Sequence, residues 1–98
     1  MHSATINLLT NASATGSQVT IGIGGVYQFT AAGTFGGATV ALQYLGPDGV
    51  TWINAGTEAI LTAAGGCIVE LGNDTIVRVA VTGGSPSGLF SRLRAVSN

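Results

Sequence analysis

The chain has 98 residues, enough for one domain that buries roughly 65% of its unfolded surface. Only 7% of its residues are charged, comprising three Arg, four acidic residues and no Lys, with a net charge of −1. An ordinary soluble domain carries about 25% charged residues. Because binding to nucleic acid requires a cluster of cations, this composition excludes a polyanion-binding protein.

The composition also argues against disorder and against a membrane span. Hydrophobic residues make up 46% of the chain, the reverse of what disordered segments show. No apolar run approaches the roughly 18 residues that a spanning helix needs, so we expect a soluble protein. Residues 1–5 lack the cationic start of a signal peptide, and a single Cys67 cannot form an internal disulfide. We therefore expect assembly in a reducing cytoplasm.

Strand-forming residues dominate the chain. Val, Ile and Thr together account for 28 of the 98 residues, whereas the helix formers Lys, Glu, Gln, Met and Arg are scarce. Apolar and polar residues alternate with the period of a half-buried strand in nine short stretches. These stretches are 5–9, 18–23, 26–31, 39–44, 50–54, 59–61, 67–71, 76–81 and 89–96. No stretch keeps a helical period.

Gly-rich turns separate the predicted strands, the clearest being Gly46-Pro47-Asp48-Gly49, where proline pre-sets one dihedral angle and glycine tolerates a positive one. Short strands at this spacing are typical of a sandwich or small barrel. We predict an all-β fold, a single β-sandwich over residues 1–98 with a short N-terminal arm. Its topology is expected to be jelly-roll or immunoglobulin-like, with eight or nine short antiparallel strands.

The alternation assigns each side chain to a face of its strand. It predicts that Val19, Ile21 and Ile23 point inward together, as do Tyr27 and Tyr44 with their own neighbours. It predicts an outward direction for Ile76, Phe90 and Val96, and for the charged residues Glu58, Glu70, Arg92 and Arg94.

Chemistry-bearing residues are few and scattered. His2 lies at the chain end, and Cys67 falls on the inward side of its strand, so a held nucleophile–base pair is not expected. The four carboxylates are Asp48, Glu58, Glu70 and Asp74, two in turns and two on outward faces. We therefore predict a non-catalytic protein with no metal site and no cofactor.

Two stretches carry a family resemblance. Residues 36–44 lead into Gly46-Pro47-Asp48-Gly49 and Thr51-Trp52, and residues 78–84 lead into 89–93. This strand-turn-strand pattern resembles that of small virion proteins of tailed bacteriophages. The resemblance implies a decoration, or cement, protein that binds the capsid exterior and reinforces contacts between subunits of the major capsid protein. It carries over no catalytic residue.

The lack of charge indicates, independently of the resemblance, that partner chains cover part of the surface. Natural sheets protect their edge strands with Lys and other charges, which this chain hardly has. We expect partner chains to cover its edges and at least one face, as in a homo-dimer or homo-trimer bound to the capsid. The candidate contact residues are His2, Ser3 and Thr5 of the arm, Phe35 in its loop, and the outward-facing Ile76, Phe90 and Val96.

Two other functions remain open. The chain could be an accessory domain of a phage tail or fibre, which copy number would distinguish from a head protein. It could also be a carbohydrate-binding module in which Trp52, Tyr27, Tyr44 and Phe90 form a stacking platform. The inward direction predicted for the two tyrosines counts against that platform.

Overall fold

Nine β-strands build the protein, as the alternation and the abundance of β-branched residues predict. The structure is a computed structural model, and it describes residues 5–96. The strands are β1 (Thr5–Ala12), β2 (Val19–Ile21), β3 (Gly25–Thr34), β4 (Thr39–Leu45), β5 (Trp52–Asn54), β6 (Ile60–Leu61), β7 (Gly65–Leu71), β8 (Thr75–Thr82) and β9 (Ser87–Ala95). One 3-10 turn, η1 (Thr57–Ala59), joins β5 to β6. In the part of the chain that the structure describes, no helix has the length and apolar character to cross a membrane.

The strands form two antiparallel sheets. The first sheet has the order β1-β9-β3-β7, and the second has the order β2-β8-β4-β5, with β6 also paired to β4. The pairing is nested, since β1 pairs with β9, β2 with β8, β3 with β7 and β4 with β5. A long ribbon folded over on itself in this way is a jelly roll. The predicted all-β sandwich is confirmed. Of the two topologies expected, the strand pairing is that of a jelly roll and not of an immunoglobulin-like fold.

The core lies between the inner faces of the two sheets. Phe29 and Leu93 from the first sheet and Leu42 and Val79 from the second are wholly buried. Each belongs to the inward set of its strand, so the alternation read from the sequence matches the burial. The buried polar residue Ser91 donates its hydroxyl proton to the carbonyl oxygen of Thr30, which satisfies it inside the first sheet.

The predicted turn before Trp52 closes the β4–β5 hairpin. The Asp48 carboxylate accepts hydrogen bonds from the backbone N–H groups of Val50 and Thr51 and from the Thr51 hydroxyl. Gly49 adopts a positive φ of 77°, which a side chain would disfavour. The Thr51 hydroxyl, followed by the two N–H groups, lowers the pKa of Asp48 from 3.8 to about 2.

Strand β1 departs from the simple alternation. It continues to Ala12, and its pairing with β9 shifts register between Asn7 and Leu9 and again before Ala12. The irregular pairing lets the consecutive residues Leu8 and Leu9 both become buried. The sequence-based prediction ended this strand at Leu9, because a bulge breaks the period that the prediction follows.

One predicted side-chain direction and one predicted contact residue are wrong. Ile23 lies beyond the end of β2, where pairing with β8 stops at Ile21, and it is 60% exposed. Phe35 was expected to contact a partner, but only 7% of it is accessible. The loop turns back at this point, because the Ala38 N–H donates to the Phe35 carbonyl oxygen and the phenyl ring joins the core.

Candidate functional site

The outer face of the first sheet combines exposed apolar residues with two of the chain's three arginines. Directly paired residues of antiparallel strands place their side chains on the same face, so the register defines this surface. Its members are Thr5 and Asn7 on β1, Phe90, Arg92 and Arg94 on β9, Val26, Gln28, Thr30 and Ala32 on β3, and Ile68 and Glu70 on β7. Val96 extends the row of β9 beyond its last residue.

Exposed aliphatic residues gather at one end of this face. The Val96 N–H donates to the Val26 carbonyl oxygen at 2.9 Å, which sets the two valines side by side. Ile68 lies diagonally across from Val26 on β7. These three side chains are 37% to 57% exposed. We call them the terminal patch.

The terminal patch lies near an edge strand that carries no charge. Strand β1 pairs with β9 on one side only, and its eight residues include no charged side chain. Thr5, at the start of this strand, is paired with Arg94, one row away from Val96. An uncharged edge strand offers free backbone donors and acceptors to another chain. The two features together form a surface suited to docking.

A depression of about 420 Å³ occupies the opposite end of the same sheet. Asn7 and Thr10 line it from β1, Thr30 from β3, and Phe90 and Arg92 from β9. Its other lining residues are Leu9, Ala31, Ala32 and Ser91. It lies beside the shifted register of β1, where the irregular pairing disturbs an otherwise regular surface.

Side chains on the outer face of the second sheet contact one another. The Arg78 guanidinium lies 4.4 Å from the centre of the Trp52 ring and donates a hydrogen bond to the Gln43 side-chain oxygen at 3.0 Å. The Gln43 amide in turn donates to the Asn54 side-chain oxygen at 3.0 Å. These contacts span β8, β4 and β5, so the one arginine of this face is already partnered.

The structure separates the residues predicted to form one interface. It places Thr5 and Val96 together at the end that carries the terminal patch. Phe90 lies at the other end of the first sheet, and the half-buried Ile76 pairs with Thr20 on the second sheet. Phe35 is buried, as described above. His2 and Ser3 lie outside the described residues.

Sequence reasoning missed Val26 and Ile68. Both are apolar residues in positions that the alternation assigns to the outer face, beside Gln28 and Glu70 respectively. A hydrophobic residue on the polar side of a strand is the signal that could have found them. That they lie close together depends on the pairing of β3 with β7.

The four aromatic residues proposed as a sugar platform do not share a surface. Tyr27 is buried, with its hydroxyl donating to the Ile23 carbonyl oxygen, and Tyr44 packs against the core. Trp52 lies under Arg78 on the second sheet, whereas Phe90 lies on the first. The inward direction predicted for the two tyrosines is confirmed, the four residues form no common platform, and Phe90 is exposed beside a depression.

Cys67 lies where its strand position predicts, partly buried against the core. Burial, with a smaller contribution from the negative charge of Glu58, raises the pKa of its thiol. A raised pKa disfavours the thiolate, which is the reactive form of cysteine. Within residues 5–96, no group of three His, Cys, Asp or Glu side chains is arranged to hold a metal ion.

Comparison of the chain with protein-family models, with curated proteins and with solved structures finds no match in any of the three.

Proposed function

We propose that the protein is a non-catalytic structural protein of a tailed bacteriophage that binds the outer surface of the capsid. In this role it stabilises contacts between subunits of the major capsid protein, after assembly in the host cytoplasm. The resemblance of residues 36–52 and 78–93 to phage virion proteins supports the class of partner. The observation that carries the proposal is the terminal patch beside an uncharged edge strand.

The side chains of the terminal patch are aliphatic, so they contribute to binding through burial of apolar surface. Fully burying one large aliphatic side chain contributes about 1.5 to 3 kcal/mol, and each patch residue has part of that still to gain. Association of two proteins costs an estimated 4 kcal/mol or more in lost freedom of motion. Three half-exposed side chains alone would therefore bind weakly. We infer that main-chain pairing along β1 adds to the patch.

Several linked copies would strengthen docking further. A homo-dimer or homo-trimer engages the capsid at two or three places at once, which raises avidity without any new contact. Light scattering on purified protein measures this state directly. A particle mass equal to one chain at all concentrations would contradict self-association, while leaving docking by single chains to be tested on heads.

Heads that lack this protein, prepared from the phage that encodes it, provide the main test. Added protein should bind them in many copies and raise the temperature at which they break open. Because the terminal patch has no charge, binding should change little between low and moderate salt. Heads that neither bind the protein nor gain heat resistance would overturn the proposal.

Single lysine substitutions test the patch itself. Ile68→Lys and Val96→Lys each place a strongly hydrated charge in the terminal patch and should weaken head binding at least about tenfold, since burying an unpaired charge is costly. Val50→Lys is the matched control, because Val50 is 75% exposed in the β4–β5 turn. Equal binding by all three variants would show that docking uses another surface.

The number of copies per virion distinguishes a capsid decoration protein from the alternative, a tail or fibre accessory protein. A capsid decoration protein occupies many equivalent sites on a head, whereas a tail or fibre component is present in few copies. Quantitative mass spectrometry of purified virions gives the ratio of this chain to the major capsid protein. A ratio near that of the tail proteins would favour the alternative.

A further inference from the structure

The depression on the first sheet holds side chains that the proposed docking does not use. It is bounded by Phe90 on β9, which precedes Val96 of the terminal patch by six residues along the chain. Six residues of extended strand span roughly 20 Å. A small molecule in the depression would therefore lie well away from the terminal patch.

The lining of the depression combines three kinds of chemistry. Phe90 is 51% exposed and offers an apolar aromatic surface. Arg92 supplies a permanent positive charge with donors in a planar fork. Asn7, Thr10 and Thr30 supply an amide and two hydroxyls, which both donate and accept hydrogen bonds. A ligand that matches all three has an apolar face, a negative group and several hydroxyls.

The charge of Arg92 is not neutralised by the described part of its own chain. Within residues 5–96, the hydrogen bonds made by side chains include none to the Arg92 guanidinium. The one acidic residue on this face of the first sheet, Glu70, lies two strands away on β7. Arg94, two residues along β9, adds to the positive potential.

The negative group that fits best is a carboxylate. The guanidinium fork of one arginine pairs with a carboxylate through two parallel hydrogen bonds. Protein sites for phosphate commonly use several converging backbone N–H groups at a helix start or a nest. The lining of this depression comes from β1, β3 and β9, and it includes no helix start. A phosphate is therefore less well matched than a carboxylate.

We propose that the depression binds an acidic sugar residue of the uronic acid type. Its carboxylate pairs with Arg92, the apolar face of its ring stacks on Phe90, and its hydroxyls bond to Asn7, Thr10 and Thr30. The volume of about 420 Å³ lies within the range of roughly 300 to 1,000 Å³ found for small-molecule sites.

Titration of isotope-labelled protein with methyl β-glucuronide, followed by two-dimensional NMR, tests this assignment. The amide signals of Asn7, Phe90 and Arg92 should shift, with those of the terminal patch unchanged. Methyl β-glucoside, which lacks only the carboxylate, should bind about tenfold more weakly or not at all. Equal affinity for the two sugars, equal or tighter binding of inorganic phosphate, or no binding of the glucuronide would each overturn the proposal.

Three substitutions on β9 distinguish a specific binding site from general electrostatic attraction of the sugar to the protein. Arg92→Gln and Phe90→Ala should each weaken glucuronide binding about tenfold. Arg94→Gln makes the same change in net charge outside the lining of the depression, so its affinity should stay within about twofold. An equal loss in Arg92→Gln and Arg94→Gln would mean diffuse electrostatic attraction and contradict a built site. Unchanged signals elsewhere in each spectrum confirm that the variants remain folded.

Discussion

The outer faces of the two sheets differ in the environment of their arginines. On the second sheet, Arg78 stacks on Trp52 and bonds to Gln43, so its charge is held by its own chain. On the first sheet, Arg92 and Arg94 alternate with buried residues of β9 and project outward as exposed side chains. Both surfaces belong to one jelly roll with one core between them.

The difference concerns how much capacity for new contacts the arginines of each face keep. A guanidinium that already has an aromatic face and an amide oxygen gains little from a new contact. Exposed arginines and aliphatic residues keep their full capacity to interact. The arginine of the second sheet is thus held within the fold, whereas those of the first sheet stay exposed on the face that carries the terminal patch and the depression.

The largest expected effect comes from the core that supports both faces. Phe29 is wholly buried in the first sheet, opposite Cys67 on one side and Leu93 on the other. Phe29→Ala should lower the free energy of unfolding by about 3 to 5 kcal/mol, through lost burial and a cavity. Chemical denaturation measures the change. Phe90→Ala removes the same ring from the exposed face and should cost about 0.5 kcal/mol or less; similar losses in both variants would contradict the assignment of inner and outer faces.

A smaller effect distinguishes the arginines of the two faces. Arg78→Ala should lower the free energy of unfolding by about 1 to 2 kcal/mol, because it removes the stacking on Trp52 and the hydrogen bond to Gln43. Arg92→Ala should change it by about 0.5 kcal/mol or less. Thermal unfolding of the two variants side by side provides the measurement. A larger loss for Arg92→Ala would reverse the contrast between the faces.

The smallest effect concerns the turn that joins two strands of the second sheet. Asp48 has a lowered pKa of about 2 in the folded protein, so its hydrogen bonds contribute to stability above the ordinary value of 3.8. That contribution is lost as the pH falls from about 4 to about 2. Thr51→Val removes the hydroxyl but leaves the N–H groups, so the pKa should rise only part of the way towards 3.8.

NMR titration of the Asp48 carboxyl group measures this shift, and Thr62→Val, in the exposed loop before β7, is the control. An unchanged pKa in Thr51→Val would show that the backbone N–H groups alone hold the carboxylate. A normal pKa in the unsubstituted protein would contradict the hydrogen-bonded turn.

The inner faces of the sandwich could be predicted from local sequence, because alternation between apolar and polar residues is a property of each strand alone. Phe29, Leu42 and Val79 follow that rule. It failed at Leu9 and Ile23, where a shifted register and a strand end interrupt the period. It failed at Phe35 because a loop residue has no strand period to follow.

The candidate surfaces could be predicted only in part. Outward direction was correct for Phe90 on β9 and for Val96 directly after it. Their separation into a depression and a terminal patch depends on β1 and β3, which lie far from β9 in the chain but beside it in the sheet. Sequence alternation carries no information about which strand becomes a neighbour.

The sequence by itself determined that this is an all-β sandwich poor in charge, with Gly-rich turns and a turn built on Asp48. These features depend on composition and on residues close together in the chain. Only the tertiary structure decided the jelly-roll order, the partnering of Arg78 with Trp52 and the depression that Phe90 and Arg92 line together with residues of β1 and β3. Each of these depends on pairing between distant strands, which is selected by burial of the whole core at once.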